Sequence, residues 1–185
     1  MAAVSDFQKK KLLHLFNTFF DCNKNGTIER KDFDMALERV ASLRQVSQGS
    51  GKYREVEESL NYVWEHLKKV ADRDNDGNVS QQEWLKMWEE AITSQQEPQW
   101  VKRYQDFLFE VEDVSGDGKV DEKEFVAAYT QFGIGQDECR GAFKKLTNGT
   151  GGEISKADFE KRFREFILSN EPSAPGNYLL GKSTF

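Results

Sequence analysis

The chain is 185 residues long, with 31% charged and 37% apolar residues, 14 Phe and only 3 Pro; that composition belongs to a helix-rich globular protein and excludes a disordered or fibrous one. Its 26 basic against 32 acidic residues leave a net charge of −6, which gives no footprint for nucleic acid or an anionic membrane surface and suits cation binding. No apolar run reaches the roughly 20 residues of a membrane helix, the first residues lack a secretory core, and Ala2 stands where myristoylation needs glycine, so a cytoplasmic protein without a membrane anchor is expected.

The first predicted helix carries Phe16 and Phe19 at helical spacing and runs into Asp21-Cys22-Asn23-Lys24-Asn25-Gly26-Thr27-Ile28-Glu29-Arg30-Lys31-Asp32. That segment has oxygen-bearing residues at alternate positions, then glycine, an aliphatic residue and an acid. Phe33 and, one turn on, Leu37 mark the apolar stripe of a second helix. Ser47-Gln48-Gly49-Ser50-Gly51 is a turn-rich break. A further helix bearing Leu67 and Val70 leads to the same pattern again, from Asp72 to Glu83 with Gly77 and Val79 inside it, and Trp84 and Trp88 follow. Pro98 stands at the start of a helix carrying Trp100 and Tyr104. Leu108 and Val111 then precede a third copy, from Asp113 to Glu124 with Gly118 and Val120, after which come Phe125 and Tyr129. A fainter fourth copy, from Thr147 to Asp158, is flanked by Phe143 and Leu146 before it and by Phe159 and Phe163 after it. Beyond about Asn170 the helical pattern stops, and Pro172, Pro175 and Gly176 open an irregular tail that ends with Tyr178, Leu179, Leu180 and Phe185, in which Tyr178, Leu179 and Leu180 are expected to be buried against the helices.

Each unit is thus helix, loop, helix, with an apolar stripe that needs neighbours to cover it. The expected fold is all-α: four such units in two paired lobes, a short β-bridge between the loops of each pair, and the tail packed on the lobes. The expected domains are residues 1–95, holding loops 21–32 and 72–83, and residues 96–185, holding loops 113–124 and 147–158 and the tail 170–185.

A hard divalent cation takes six to eight oxygens, and a 12-residue loop can supply them from positions 1, 3, 5, 7, 9 and 12. The candidate ligands are Asp21, Asn23, Asn25, Thr27, Glu29 and Asp32 in loop one; Asp72, Asp74, Asp76, Asn78, Ser80 and Glu83 in loop two; and Asp113, Ser115, Asp117, Lys119, Asp121 and Glu124 in loop three. Position 7 offers only its carbonyl, so Thr27, Asn78 and Lys119 are all acceptable there, while the glycine at position 6 permits the sharp turn. Glu83 and Glu124 are long enough to give a calcium ion both carboxylate oxygens. Asp32 is one methylene shorter and Asn23 and Asn25 are neutral, so site one is expected to take Mg²⁺ or Ca²⁺. In the fourth loop Thr147, Gly149 and Gly151 stand at positions 1, 3 and 5, leaving Glu153 and Asp158 as its only acids, with Glu153 at the carbonyl position. That loop is expected to bind no ion and to serve as the structural mate of loop three.

These segments resemble EF-hands, and nearly the whole chain resembles the invertebrate sarcoplasmic calcium-binding proteins, the calexcitins among them. The likeness includes Phe16-Asn17-Thr18-Phe19-Phe20-Asp21-Cys22-Asn23 and Glu83-Trp84-Leu85-Lys86-Met87-Trp88. The resemblance implies three working calcium sites and one lost. It also implies a cytosolic role as a calcium buffer, or as a sensor with a protein target in signalling; a monomer is expected.

Other signals are weaker. Gly176-Asn177-Tyr178-Leu179-Leu180-Gly181-Lys182-Ser183 matches the phosphate-cradling pattern literally, and calexcitin-like proteins have been discussed as guanine-nucleotide binders, so Gly176, Gly181, Lys182 and Ser183 are nucleotide candidates and a calcium-dependent GTP switch is the alternative. The motif works between a strand and a helix N-terminus, and here neither is predicted. His14 and His66 lack a second ligand at metal spacing, Cys22 and Cys139 read as buried or idle thiols, and no catalytic trio is visible, so no enzyme activity is expected. Trp64, Trp84, Trp88 and Trp100 read as core, and three Met are few for a promiscuous calcium-opened groove.

Overall fold

The computed structural model of the protein describes residues 4–185; Ala2, on which the expectation about acylation rests, lies outside them. Eight α-helices occur among these residues: α1 (Asp6–Leu15), α2 (Arg30–Leu43), α3 (Gly51–Ala71), α4 (Gln81–Ser94), α5 (Gln99–Glu112), α6 (Glu122–Thr130), α7 (Gln136–Leu146) and α8 (Lys156–Leu168). Four two-residue strands accompany them: β1 (Thr27–Ile28), β2 (Val79–Ser80), β3 (Lys119–Val120) and β4 (Ile154–Ser155). None of these helices is long and apolar enough to cross a membrane. The chain divides into two units, Met1–Phe107 and Leu108–Phe185. The division falls inside α5 rather than at the expected 95/96 boundary, because Trp100 and Tyr104 at the start of that helix pack into the first unit's aromatic core.

In the first unit α1 opens on a capping box, with Gln8 N–H donating to Ser5 Oγ at 3.1 Å and Ser5 N–H to Gln8 Oε1 at 3.0 Å. The helix then widens into a π-turn over Phe16–Phe20, which the apolar spacing alone does not announce. Phe16, Phe19 and Phe20 are all buried by it. Phe20 lies 4.6 Å from Tyr104, 4.9 Å from Trp84 and 5.6 Å from Trp100, ring centre to ring centre. Trp84 also meets Phe16 and Trp88, each at 5.8 Å, and its indole N–H donates to the Leu12 carbonyl at 2.9 Å. All four tryptophans are buried, as their spacing predicts. Val70, in contrast, is 46% exposed, because the inward stripe of α3 passes from Leu67 to Ala71 at the i, i+4 step. The loops of this unit are tied by an antiparallel bridge in which Thr27 pairs with Ser80 and Ile28 with Val79.

In the second unit the bridge pairs Lys119 with Ser155 and Val120 with Ile154. Phe125 packs against Tyr129 and Phe143, and Phe109 against Phe159. The tail passes through a 3₁₀ turn at Pro175–Tyr178, packed on α7 and α8. Leu179 and Leu180 are fully buried, a gain of about 3–6 kcal/mol before ordering costs. Tyr178 is only half-buried, contrary to its expected burial with the leucines: its hydroxyl donates to the Pro172 carbonyl at 3.1 Å and Lys145 Nζ sits 5.0 Å from the centre of its ring. A phenol keeps its polar end where it finds an acceptor. Gly176 fixes how closely the tail approaches α8, since a Cβ there would lie 2.6 Å from the Arg162 carbonyl oxygen and from Glu165 Cβ. Gly176→Ala is therefore expected to lift the tail and to cost about 1–3 kcal/mol. Denaturant unfolding together with apolar-dye binding measures this, and unchanged values for both would show that the tail does not depend on that contact.

Candidate metal centre

Each of the first three loops begins where a long helix runs out and ends as the next one starts. Their first acids take the backbone N–H groups of the turn. Asp21 accepts from Asn25 and Gly26, both at 3.0 Å; Asp72 from Gly77 at 3.1 Å; and Asp113 from Gly116 at 2.8 Å, Asp117 at 3.1 Å and Gly118 at 2.9 Å. The glycine at position 6 has φ of 89°, 90° and 86° in the three loops, the left-handed region in which a Cβ is costly. Position 4 is left-handed as well, at Lys24, Asn75 and Gly116, which the residue types at that position do not reveal.

The last acid is the third residue of the exiting helix, and it reaches both ends of its loop. Asp32 accepts from Glu29 N–H at 2.8 Å and from Asn23 N–H at 3.0 Å. Glu83 accepts from Ser80 N–H and from Arg73 N–H, both at 2.9 Å, and from the Ser80 hydroxyl at 2.8 Å. Glu124 accepts from Asp121 N–H at 3.1 Å and from Ser115 N–H at 2.8 Å. The same pairs form capping boxes on α2, α4 and α6.

The loops differ in how they gather charge. Asp72, Asp74 and Asp76 each offer a carboxylate oxygen within 4.8 Å of the others, and loop two is the one place among the described residues where three such groups converge. Asp72 Oδ1 is buried with no hydrogen-bond partner. An orphaned carboxylate oxygen in that company fits a hard cation. Partial burial pulls the Glu83 carboxyl up, but the N–H groups of Ser80, Arg73 and Asp74 and the Ser80 hydroxyl outweigh it, holding the group below the usual glutamate range. In loop three, Ser115, Asp117, Lys119, Asp121, Lys123, Glu124 and Glu153 line an open recess of about 280 Å³. Lys119 Nζ donates there to Glu153 Oε2 at 2.7 Å, which raises the lysine's pKa. In loop one, Glu29 Oε1 accepts from Asn23 Nδ2 at 2.8 Å and Asn25 Nδ2 at 3.0 Å, and burial raises the Asp32 carboxyl. This loop carries less charge, and its final acid is the most enclosed of the three, at 1% exposure.

The fourth loop follows a different path. Its left-handed residues are Asn148, Gly149 and Gly151, at positions 2, 3 and 5 rather than 4 and 6. The Thr147 hydroxyl donates back to the Phe143 carbonyl at 2.9 Å, and Asp158 Oδ2 takes the Ser155 hydroxyl at 2.6 Å.

Sequence reasoning missed Glu112, the residue before Asp113. Burial pushes its carboxyl up to about 8, and the Tyr129 hydroxyl donates to its Oε1 at 2.5 Å, linking α5 to α6. The only signal was an acid beside Val111 on an apolar stripe. The remaining candidates are placed as follows. Cys22 and Cys139 are buried thiols whose pKa burial pushes up to about 11, leaving them inert. His14 faces the Thr18 hydroxyl, and His66 stacks on Tyr62 at 3.9 Å. In the tail, Gly176 N–H donates to Glu165 Oε2 and the Ser183 N–H and hydroxyl to Glu138 Oε1, all at 2.6–2.9 Å, and Gly181 N–H to the Tyr178 carbonyl at 3.3 Å. Lys182 Nζ lies over the Phe185 ring. Three amides of this segment, those of Gly176, Gly181 and Ser183, thus have acceptors, two of them carboxylates.

The model of the EF-hand family matches residues 69–88, which span loop two and its flanks. The sarcoplasmic calcium-binding proteins I, III and IV of Branchiostoma lanceolatum are 32% identical to the chain over 97% of its length and 98% of theirs. Calexcitin-1 of Caenorhabditis elegans is 31% identical over 96% of the chain and 88% of its own. The solved structure of a sarcoplasmic calcium-binding protein from amphioxus superposes with a TM-score of 0.78 at 30% identity, covering 97% of this chain and 98% of that one. With helix–loop–helix units bridged in pairs and near-complete coverage on both sides, the chain belongs to the sarcoplasmic calcium-binding protein family.

Proposed function

We propose that the protein binds calcium at loops one to three and acts as a cytosolic calcium buffer, without enzymatic activity. The observation that carries this reading is the final acid of each of these loops, held by N–H groups from both ends of the loop. A ligand already fixed in position loses little freedom when it takes a cation. The names of the relatives support calcium as that cation.

In loop two Asp72, Asp74, Asp76, Ser80 and Glu83 would hold the ion with the Asn78 carbonyl. Loop three would use Asp113, Ser115, Asp117, Asp121, Glu124 and the Lys119 carbonyl. Loop one would use Asp21, Asn23, Asn25, Glu29, Asp32 and the Thr27 carbonyl, and its shorter last acid favours exchange between Mg²⁺ and Ca²⁺. The displaced turn of the fourth loop and the inward bonding of Thr147 support leaving it out. The docked tail and the scarcity of methionine support a buffer over a sensor that opens onto a target.

Calorimetric titration with Ca²⁺, with and without Mg²⁺, is expected to count three ions per chain; a fourth ion coordinated by Asp158 would overturn that number. Glu83→Gln and Glu124→Gln should each weaken one site by about a hundredfold or more, because at an effective dielectric of about 20 one charge beside a divalent ion is worth several kcal/mol. Wild-type affinity and stoichiometry in either variant would show that its ligand is misassigned. Asp32→Glu should raise the preference of site one for Ca²⁺ over Mg²⁺ roughly tenfold, since the extra methylene permits two-oxygen contact. Unchanged competition between the ions would place the choice in the rigidity of the loop instead.

A further inference from the structure

Position 7 of a cation loop gives the ion its backbone carbonyl, so its side chain is free to do something else. Loops one and two place neutral Thr27 and Asn78 there, and loop three places Lys119. Lys119 lines the same recess as Asp117, Asp121 and Glu124. A positive charge there opposes a divalent cation and offsets one of the carboxylates of the loop. The recess contains one more acid, and it comes from the neighbouring loop: Glu153 Oε2 accepts from Lys119 Nζ at 2.7 Å. The pairing of Lys119 with Ser155 and Val120 with Ile154 in the bridge brings the two side chains together.

We propose that Glu153, on the loop with no ion of its own, is an affinity-setting residue of site three: it neutralises Lys119, so that of the two lysines lining the recess only Lys123 still offsets the charge that Asp113, Asp117, Asp121 and Glu124 offer the cation. The proposal rests on loop three binding calcium. It gives the fourth loop a task besides strand pairing, since the ligands lost from loop four are replaced by one carboxylate that serves its neighbour. Both side chains are about half exposed, at 55% and 49%, so solvent and salt screen the pair. The effect is therefore a factor of about two to five in affinity at low salt, shrinking at about 1 M salt, where the screening length is about 3 Å.

The test is a double-mutant cycle on the full chain, reading the Ca²⁺ affinity of site three by calorimetry at about 0.05 M and about 1 M salt. Glu153→Gln is expected to weaken site three by about two- to fivefold at low salt, with a smaller loss at high salt. In a Lys119→Gln background the same change is expected to do nearly nothing. An equal loss in both backgrounds would mean that Glu153 acts on the ion or the loop directly, and no loss in either would mean that it does not act; both overturn the proposal. Thermal unfolding of the ion-free variants separates a packing role: a midpoint lowered by more than about 4 °C with unchanged affinity marks a merely structural contact and also overturns it. If wild-type protein shows no site-three binding that Glu124→Gln removes, the calcium assignment of loop three fails and the role of Glu153 falls with it, whereas wild-type binding untouched by Glu153→Gln refutes only the role of Glu153.

Discussion

A single carboxylate at the head of each exiting helix organises the loops. Asp32, Glu83 and Glu124 occupy the third position of α2, α4 and α6, where the first-turn amides have no partner inside the helix. Each meets that need with one oxygen and, with the other, reaches back to an amide near the start of its own loop. One group therefore fixes where the helix begins and how tightly the preceding dozen residues close. The same geometry keeps a negative charge at the positive end of a helix dipole, so the charge is stabilised where it is wanted. Loop four shows the contrast: Ser155 caps α8 without drawing Asp158 back to the loop's start, and the backbone takes another route.

Closure of single loops is not enough, because two-residue strands have no stability alone. Ile28 needs Val79 and Val120 needs Ile154, and each pair bridges two loops above an aromatic core. In the first unit Phe20 sits among Trp84, Trp100 and Tyr104; in the second Phe125 sits between Tyr129 and Phe143. This dependence explains why the fourth hand keeps Ile154 and Phe159 buried although its polar positions have changed: without them the third hand would lose its partner strand and part of its core.

Much of this was legible in the sequence because it is written in short-range chemistry. Alternating oxygen-bearing residues, a glycine, a branched residue and an acid specify the loops, and aromatics after each acid specify the buried faces of the exiting helices. What stayed hidden depends on contacts distant in sequence or on backbone choices that residue type does not fix. The π-turn at Phe16–Phe20 obeys the same apolar spacing as an α-helix. Val70 fits a stripe at i, i+3 as well as Ala71 fits it at i, i+4, and packing decides between them. The division at Phe107 follows from where Trp100 and Tyr104 stack rather than from the break near Pro98. The pairing of Lys119 with Glu153 and of Glu112 with Tyr129 required the register of β3 on β4 and the angle of α5 to α6. In the tail the motif was readable but its contacts were not, since the carboxylates of Glu138 and Glu165 that take two of its amides lie on other helices.

The distribution of aromatic side chains also makes the molecule its own optical reporter. All four indoles, Trp64, Trp84, Trp88 and Trp100, belong to the unit ending at Phe107, and the other unit carries only Tyr129 and Tyr178 as phenols. Trp84, Trp88 and Trp100 lie within 6 Å of one another, close enough for excitation to pass among them before emission. Light absorbed at the red edge of the ultraviolet band, where tyrosine is transparent, is thus emitted from the core beneath loops one and two. The hand pair beneath loops three and four carries no indole, and one of its two phenols is bonded to a buried carboxyl group, so red-edge emission follows the first unit alone without a label.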